Sequence, residues 1–159
     1  MCIPKLLVPS IAVGSCFAPD LEGKYYFVGS GGGGGGGYGV ALHEGAGIDY
    51  YCLLGILNSS LLSLFLRSIS TPFRGGYIAL NRQYIEQLPI MKPSGDVSNQ
   101  LQNLVKETVR LYQQLATAKS PPDKEALARQ ILAFESQIDG MVCELYGVKI
   151  SDMSGQQGG

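Results

Sequence analysis

The sequence predicts an α+β fold: a small mixed sheet packed on apolar helices, followed by a C-terminal antiparallel helical hairpin. Three observations carry this. Up to residue 42 the chain has short runs rich in Val, Ile and Tyr, parted by Gly, Pro and Asp. From Tyr50 to Leu66 seventeen residues pass without a charge. Beyond residue 97, apolar residues return every three or four positions in two blocks separated by Ser-Pro-Pro-Asp.

Taken in order, residues 5–13 form an apolar, Val- and Ile-containing segment expected to be a central strand. A short acylation signal ending at Cys16 is the competing reading of this stretch. Its apolar part is too short, and Pro9 interrupts it. Residues 18–24, APDLEGK, have turn chemistry; residues 25–28 and 38–42 read as further strands. Between them lies GSGGGGGGG at 29–37. Seven consecutive glycines cannot hold regular structure, since Gly has the most backbone entropy to lose. A hairpin loop is one reading, a loop lying along a nucleic-acid backbone the other. A phosphate loop is rejected, because no Lys-Ser/Thr and no helix follow the glycines.

Asp49 is placed to cap a helix from Tyr50. Asn58-Ser59 breaks the charge-free run, so two short buried helices, 50–57 and 60–68, are expected rather than a membrane span. Residues 72–76, PFRGG, form a turn, 77–80 a short strand, and Asn81 caps a helical turn that Pro89 ends. Residues 91–95 are a linker. One helical face then carries Val97, Leu101, Leu104, Thr108, Leu111 and Leu115. The matching face carries Leu127, Ile131, Phe134, Ile138, Val142 and Leu145. Ser120 caps the second helix, Pro121 suits its first position, and Gly147 stops it. This divides the chain into 1–92, 93–150 and a disordered tail, 151–159.

Composition narrows the function. The net charge is −1, with six Lys/Arg against five acids in residues 1–92 and six against eight in 93–159. Neither half is a basic field, which argues against tight nonspecific nucleic-acid binding. The four cysteines are scattered and there is one His, so neither a zinc knuckle nor a disulfide framework is expected, and a reducing cytoplasm is the natural compartment. His43, beside Glu44, reads as a surface residue. No nucleophile has a base beside it and no paired carboxylates occur, so the residues alone point to a binding domain.

Residues 50–90, YYCLLGILNSSLLSLFLRSISTPFRGGYIALNRQYIEQLPI, resemble the core signature of the TaqI-like C-terminal specificity domain. The matching pieces are the lead-in at 4–12, the helix at 50–62, the Gly-Gly-Tyr turn at 74–77 and the closing segment at 83–90. Residues 137–148, QIDGMVCELYGV, resemble the tail that follows such domains. The resemblance covers about residues 4–92. It implies the target-recognition part of an adenine-specific DNA methyltransferase or restriction-modification enzyme, with double-stranded DNA as partner. The parent would methylate adenine N6 with S-adenosylmethionine in an upstream catalytic domain bearing Asn-Pro-Pro-Tyr, a motif absent from these residues. No cofactor is expected in this chain, nor catalysis by it.

The residues picked for DNA contact are Arg74, Gly75 and Gly76 first, then Arg67, Arg82, Ser30, Thr71, Asn81 and Lys5. Arg suits bidentate contact with guanine or phosphate, and Gly admits close backbone approach. Ser70 is a further candidate hydroxyl donor. Tyr77 is expected in the core. For the helices, docking on the upstream methyltransferase domain or homo-oligomerisation through Leu101, Leu104, Leu111, Leu115, Leu127, Ile131, Phe134 and Ile138 is expected. No membrane partner is expected. The alternative function is a protein-interaction module acting through the hairpin.

Overall fold

A computed structural model describes residues 3–27 and 36–153. The chain divides into two compact units, Met1–Ile90 and Met91–Gly159. The class is α+β, with small antiparallel sheets and long C-terminal helices.

In the first unit, β1 (Lys5–Pro9), β2 (Ile11–Ala12), β3 (Ala18–Asp20) and β4 (Gly37–Val40) precede two apolar helices. β1 is the centre of a three-stranded antiparallel sheet ordered β3-β1-β4, with Leu6 opposite both Pro19 and Val40. Its alternation is visible in burial: Leu6 and Val8 are fully buried and Lys5, Leu7 and Pro9 are not. The expected continuous strand 5–13 is broken at Ser10. Ser10 donates its N–H to Gly36 and accepts from Leu80, and β2 leaves for a second sheet. Residues 18–20, expected as turn, form β3. Pro19 is tolerated because β3 is an edge strand, where a missing N–H is not required by a neighbour.

Tyr25, Tyr26 and Phe27, expected as a strand, lie outside the sheet and are exposed; Val28 lies outside the described residues. The reason is local. The Asp20 carboxylate accepts the N–H groups of Lys24 (2.8 Å) and Tyr25 (3.0 Å), which bends the chain away from the ladder. The 29–35 part of the Gly run also lies outside the described residues.

Helix α1 (Tyr50–Asn58) is capped by Asp49, whose carboxylate accepts the Tyr51 N–H at 2.7 Å. Ser59 then caps α2 (Ser60–Ile69), accepting the Leu62 N–H at 3.3 Å, and the two helices meet at 62°. Leu53, Leu54, Ile56, Leu57, Leu62 and Leu66 from this pair build the core with Leu6, Val8 and Phe17. No single described helix is long and apolar enough to cross a membrane. Asn58 pins Phe17 from outside: its side chain donates to the Phe17 carbonyl and accepts the Phe17 N–H, both at 2.8 Å. The short strand β5 (Ile78–Ala79) pairs antiparallel with β2, and the helical turn α3 (Arg82–Ile85) follows.

The second unit is a helical hairpin. Helix α4 (Gly95–Thr117) packs on α5 (Pro121–Leu145) through Leu101, Val105, Thr108 and Leu111 on one side and Ile131, Ile138 and Val142 on the other. Tyr112 donates to Glu135 at 2.6 Å across the pair, as antiparallel helices require. Ser120 accepts the Asp123 N–H at 3.2 Å with Pro121 at the first position, and Gly147 has a φ of +66° at the stop. Residues 151–153, expected in the disordered tail, belong to a helical turn, α6 (Ile150–Met153), which brings Met153 against the buried Cys143 thiol at 3.4 Å. Residues 154–159 lie outside the described residues.

Candidate nucleic-acid interface

The turn at residues 72–77 is the tip of a β-ribbon. Pro72 bridges Ile78 antiparallel, Phe73 donates its N–H to the Tyr77 carbonyl at 2.7 Å, and Ala79 donates to Thr71 at 2.9 Å. Arg74, Gly75 and Gly76 are therefore the three residues that reverse the chain. Gly75 and Gly76 have φ values of +82° and +78°, the left-handed region that a side chain resists. The space around Gly76 is open, so conformation rather than crowding requires glycine there. Arg74 stands exposed on this tip and, among the described residues, has no hydrogen-bond or ion-pair partner.

The other basic candidates are engaged within the protein. Arg67, at the end of α2, donates one guanidinium N–H to the Val13 carbonyl and another, at 3.5 Å, to the Gly76 carbonyl. It braces the ribbon tip from behind. Gly14 fits against it: a Cβ there would stand 2.8 Å from Ser63 Oγ, and φ is +136°. Arg82 pairs with Glu86 one helical turn on, and this acid raises its pKa. Lys5 pairs with Asp20 at 2.7 Å and lies 4.7 Å from the centre of the Tyr26 ring. Asp20 itself is buried. Burial pushes its carboxyl up, but the Lys5 ammonium and the Tyr25 and Lys24 N–H groups together bring it down to about 2.

Among the polar candidates, Thr71 shares a 2.6 Å hydrogen bond with the Tyr84 hydroxyl beside the ribbon. Asn81 precedes α3 without a side-chain cap bond, which leaves its amide to outside partners. Ser70 is buried, and its hydroxyl has no partner among the described residues, so it faces inward. Ser30 lies outside the described residues. The structure thus gathers Arg74, Gly75, Gly76, Arg67 and Thr71 around one ribbon, while Lys5 sits on the other sheet. Tyr77 corrects an expectation: it is 46% exposed rather than core. Its neighbour Ile78 is buried, and along a strand adjacent side chains face opposite ways.

Of the residues expected to join helices between chains, Leu101, Leu111, Ile131 and Ile138 are buried between α4 and α5, and Leu104, Leu115, Leu127 and Phe134 are half-buried. This face closes the hairpin on itself and is not a free surface. The exposed apolar residues on the helices are others, Leu132 and Tyr112 among them.

His43 is exposed and its Nδ1–H donates to the Glu44 carbonyl at 2.8 Å. Among the described residues no group of three or more His, Cys, Asp or Glu lies together as a metal site. An open groove beside β1 and β4 is lined by Ile3, Leu7, Tyr26, Phe27 and Ala41, with Lys5 as the charged group at its wall.

A family model described as the TaqI-like C-terminal specificity domain matches residues 3–90, the whole of the sheet, the two apolar helices and the ribbon. No curated protein matches the chain.

Proposed function

The chain belongs to the TaqI-like C-terminal specificity domain family, and from that membership we propose that it reads a short duplex DNA sequence through the Arg74–Gly75–Gly76 tip. The observation that carries the reading is the contrast between Arg74 and the other basic candidates. Arg67 and Lys5 bond to groups elsewhere in the fold and Arg82 pairs with Glu86 at the surface, whereas Arg74 projects unpaired, among the described residues, from a two-glycine turn. A guanidinium free of internal partners presents two parallel N–H groups to the O6 and N7 of guanine, or to a phosphate. The glycines let backbone approach where a Cβ would hold it off.

The parent activity we assign is methylation of adenine N6 with S-adenosylmethionine as donor, in a restriction-modification enzyme. The support is the resemblance in the ribbon and its flanking helices. This chain would fix the register of the duplex while a separate catalytic domain draws the adenine out of the stack. The donor is assigned to that catalytic domain and not to this chain. The hairpin is assigned to docking on the catalytic domain. A second reading, a protein-interaction module, draws on Leu132, which is 65% exposed on the outer side of α5.

The test is selection of duplex DNA from a randomised pool by the purified chain and by Arg74→Ala. Enrichment of one short sequence, with discrimination at one G·C pair falling by roughly 1–3 kcal/mol in the variant, is expected. Enrichment that is unchanged in Arg74→Ala removes Arg74 as the reader. Absence of any enrichment means either that the domain needs its catalytic partner to grip DNA or that the interaction module is right, and a repeat with the upstream domain attached decides between them.

A further inference from the structure

Exposed apolar side chains lie beside Arg74 at the ribbon tip. Ile11 faces Ala79 and Ala12 faces Ile78 across β2 and β5, and Val13 and Tyr77 are the residues that adjoin this pairing at the tip, just past the end of β2 and just before β5. On the other side of the same strand, Pro72 faces Ile78, and Phe73 is hydrogen-bonded to Tyr77. Directly opposed residues in a ribbon project from the same face. Val13, Tyr77 and Phe73 therefore lie in one row across three neighbouring segments, 53%, 46% and 46% exposed. One position inward on that face Ala79 is buried, between Ile11, 36% exposed, and the exposed Thr71. Arg67 holds the row together, because its guanidinium joins the carbonyls of Val13 and Gly76. The Tyr77 ring lies against Gly75, 3.5 Å from where a Cβ would stand.

Three part-exposed apolar side chains adjoining an exposed Arg form a surface of the kind that interaction sites use. We propose that this row packs against the C5-methyl groups of thymine in the major groove, so that the recognised sequence places thymine beside the guanine read by Arg74. The proposal rests on the DNA-reading role above. A β-ribbon fits the major groove, about 12 Å wide, and the thymine methyl is the apolar group that base edges display there. Intercalation calls for a single protruding wedge that unstacks one base step. A row of three, with neighbours about 5 Å apart, instead spans the edges of consecutive base pairs.

The test takes the sequence enriched by the intact chain and replaces each thymine in turn by deoxyuridine, which loses the methyl group and keeps its pairing. Losing one buried methyl is expected to weaken binding about fourfold at one or two of these positions. Phe73→Ser and Tyr77→Ser, checked for folding by thermal melting, are expected to bind the thymine and deoxyuridine sites alike. Sequence-specific binding by the intact chain that is indifferent to every deoxyuridine replacement, or an enriched sequence without thymine, overturns the apolar reading and leaves DNA recognition standing. Failure to enrich any sequence, both alone and with a TaqI-type methyltransferase catalytic domain attached upstream, overturns both.

Discussion

Asp20 does more for this fold than its place in a turn-like stretch suggests. Its carboxylate is buried, pairs with Lys5 across the β1–β3 register, and accepts the N–H groups of Lys24 and Tyr25. It thereby ends β3 and sends the following aromatics out of the sheet. Its carboxyl titrates at about 2 in the folded chain, against 3.8 ordinarily. A depressed carboxyl stabilises the fold above the unfolded value, and that contribution drains away as pH falls through the folded value. The expected result is a melting temperature that declines between about pH 4 and pH 2 beyond what other groups cause. Asp20→Asn lowers the melting temperature at pH 7 and lacks this decline, so the two curves converge in acid. A variant that tracks the parent chain at every pH would show that the pair contributes nothing. Arg67 has a comparable internal duty, and for that reason a change there alters the ribbon before it alters any DNA contact.

At the level of elements, the ribbon tip is built by backbone conformation. Gly75 and Gly76 both take positive φ, and the space about Gly76 is empty. Placing an L side chain in that conformation costs roughly 1–2 kcal/mol. Gly76→Ala is therefore expected to lower stability by about that amount, read by thermal or urea unfolding, although no atom blocks the methyl group. DNA selection should weaken at the position read by Arg74, because relief of the strain moves the guanidinium. Unchanged stability would mean that the turn relaxes freely and does not set Arg74. The helices follow a different logic. Asp49, Ser59 and Ser120 each cap the helix they precede through a side-chain oxygen, and such caps contribute about 1 kcal/mol apiece.

For the molecule as a whole, charge decides how it holds DNA. Residues 1–92 have six Lys/Arg against five acids, and three of the four basic candidates are internally paired. Each phosphate neutralised steepens the salt dependence of binding by about 0.9 in log–log slope. The expected slope is no steeper than about −3, measured by titration across a range of salt concentrations. A slope of about −6 or beyond would require a broad phosphate-binding face that these residues do not supply. On the proposed reading, affinity of this chain would rest on base-edge contacts at the tip, with the grip on phosphates left to the catalytic partner. The hairpin of the second unit closes its principal apolar faces on each other and leaves residues such as Leu132 outside.

Helix positions, their caps, the break at Ser59 and the two amphipathic faces of the hairpin were legible in the sequence, as were the Gly-Gly turn and the family. These signals act within a few residues: a cap oxygen reaches its own helix, and a helical face repeats every turn. The tertiary structure decided which extended segments join a sheet. Residues 18–20 were recruited as an edge strand by a carboxylate whose partner, Lys5, lies in another strand, and residues 25–27 were excluded by the same group. It also decided which of four basic residues stays free, and it turned Tyr77 outward beside Val13, far away along the chain. Strand pairing and side-chain exposure depend on partners distant in sequence, and a single chain read locally does not contain their geometry.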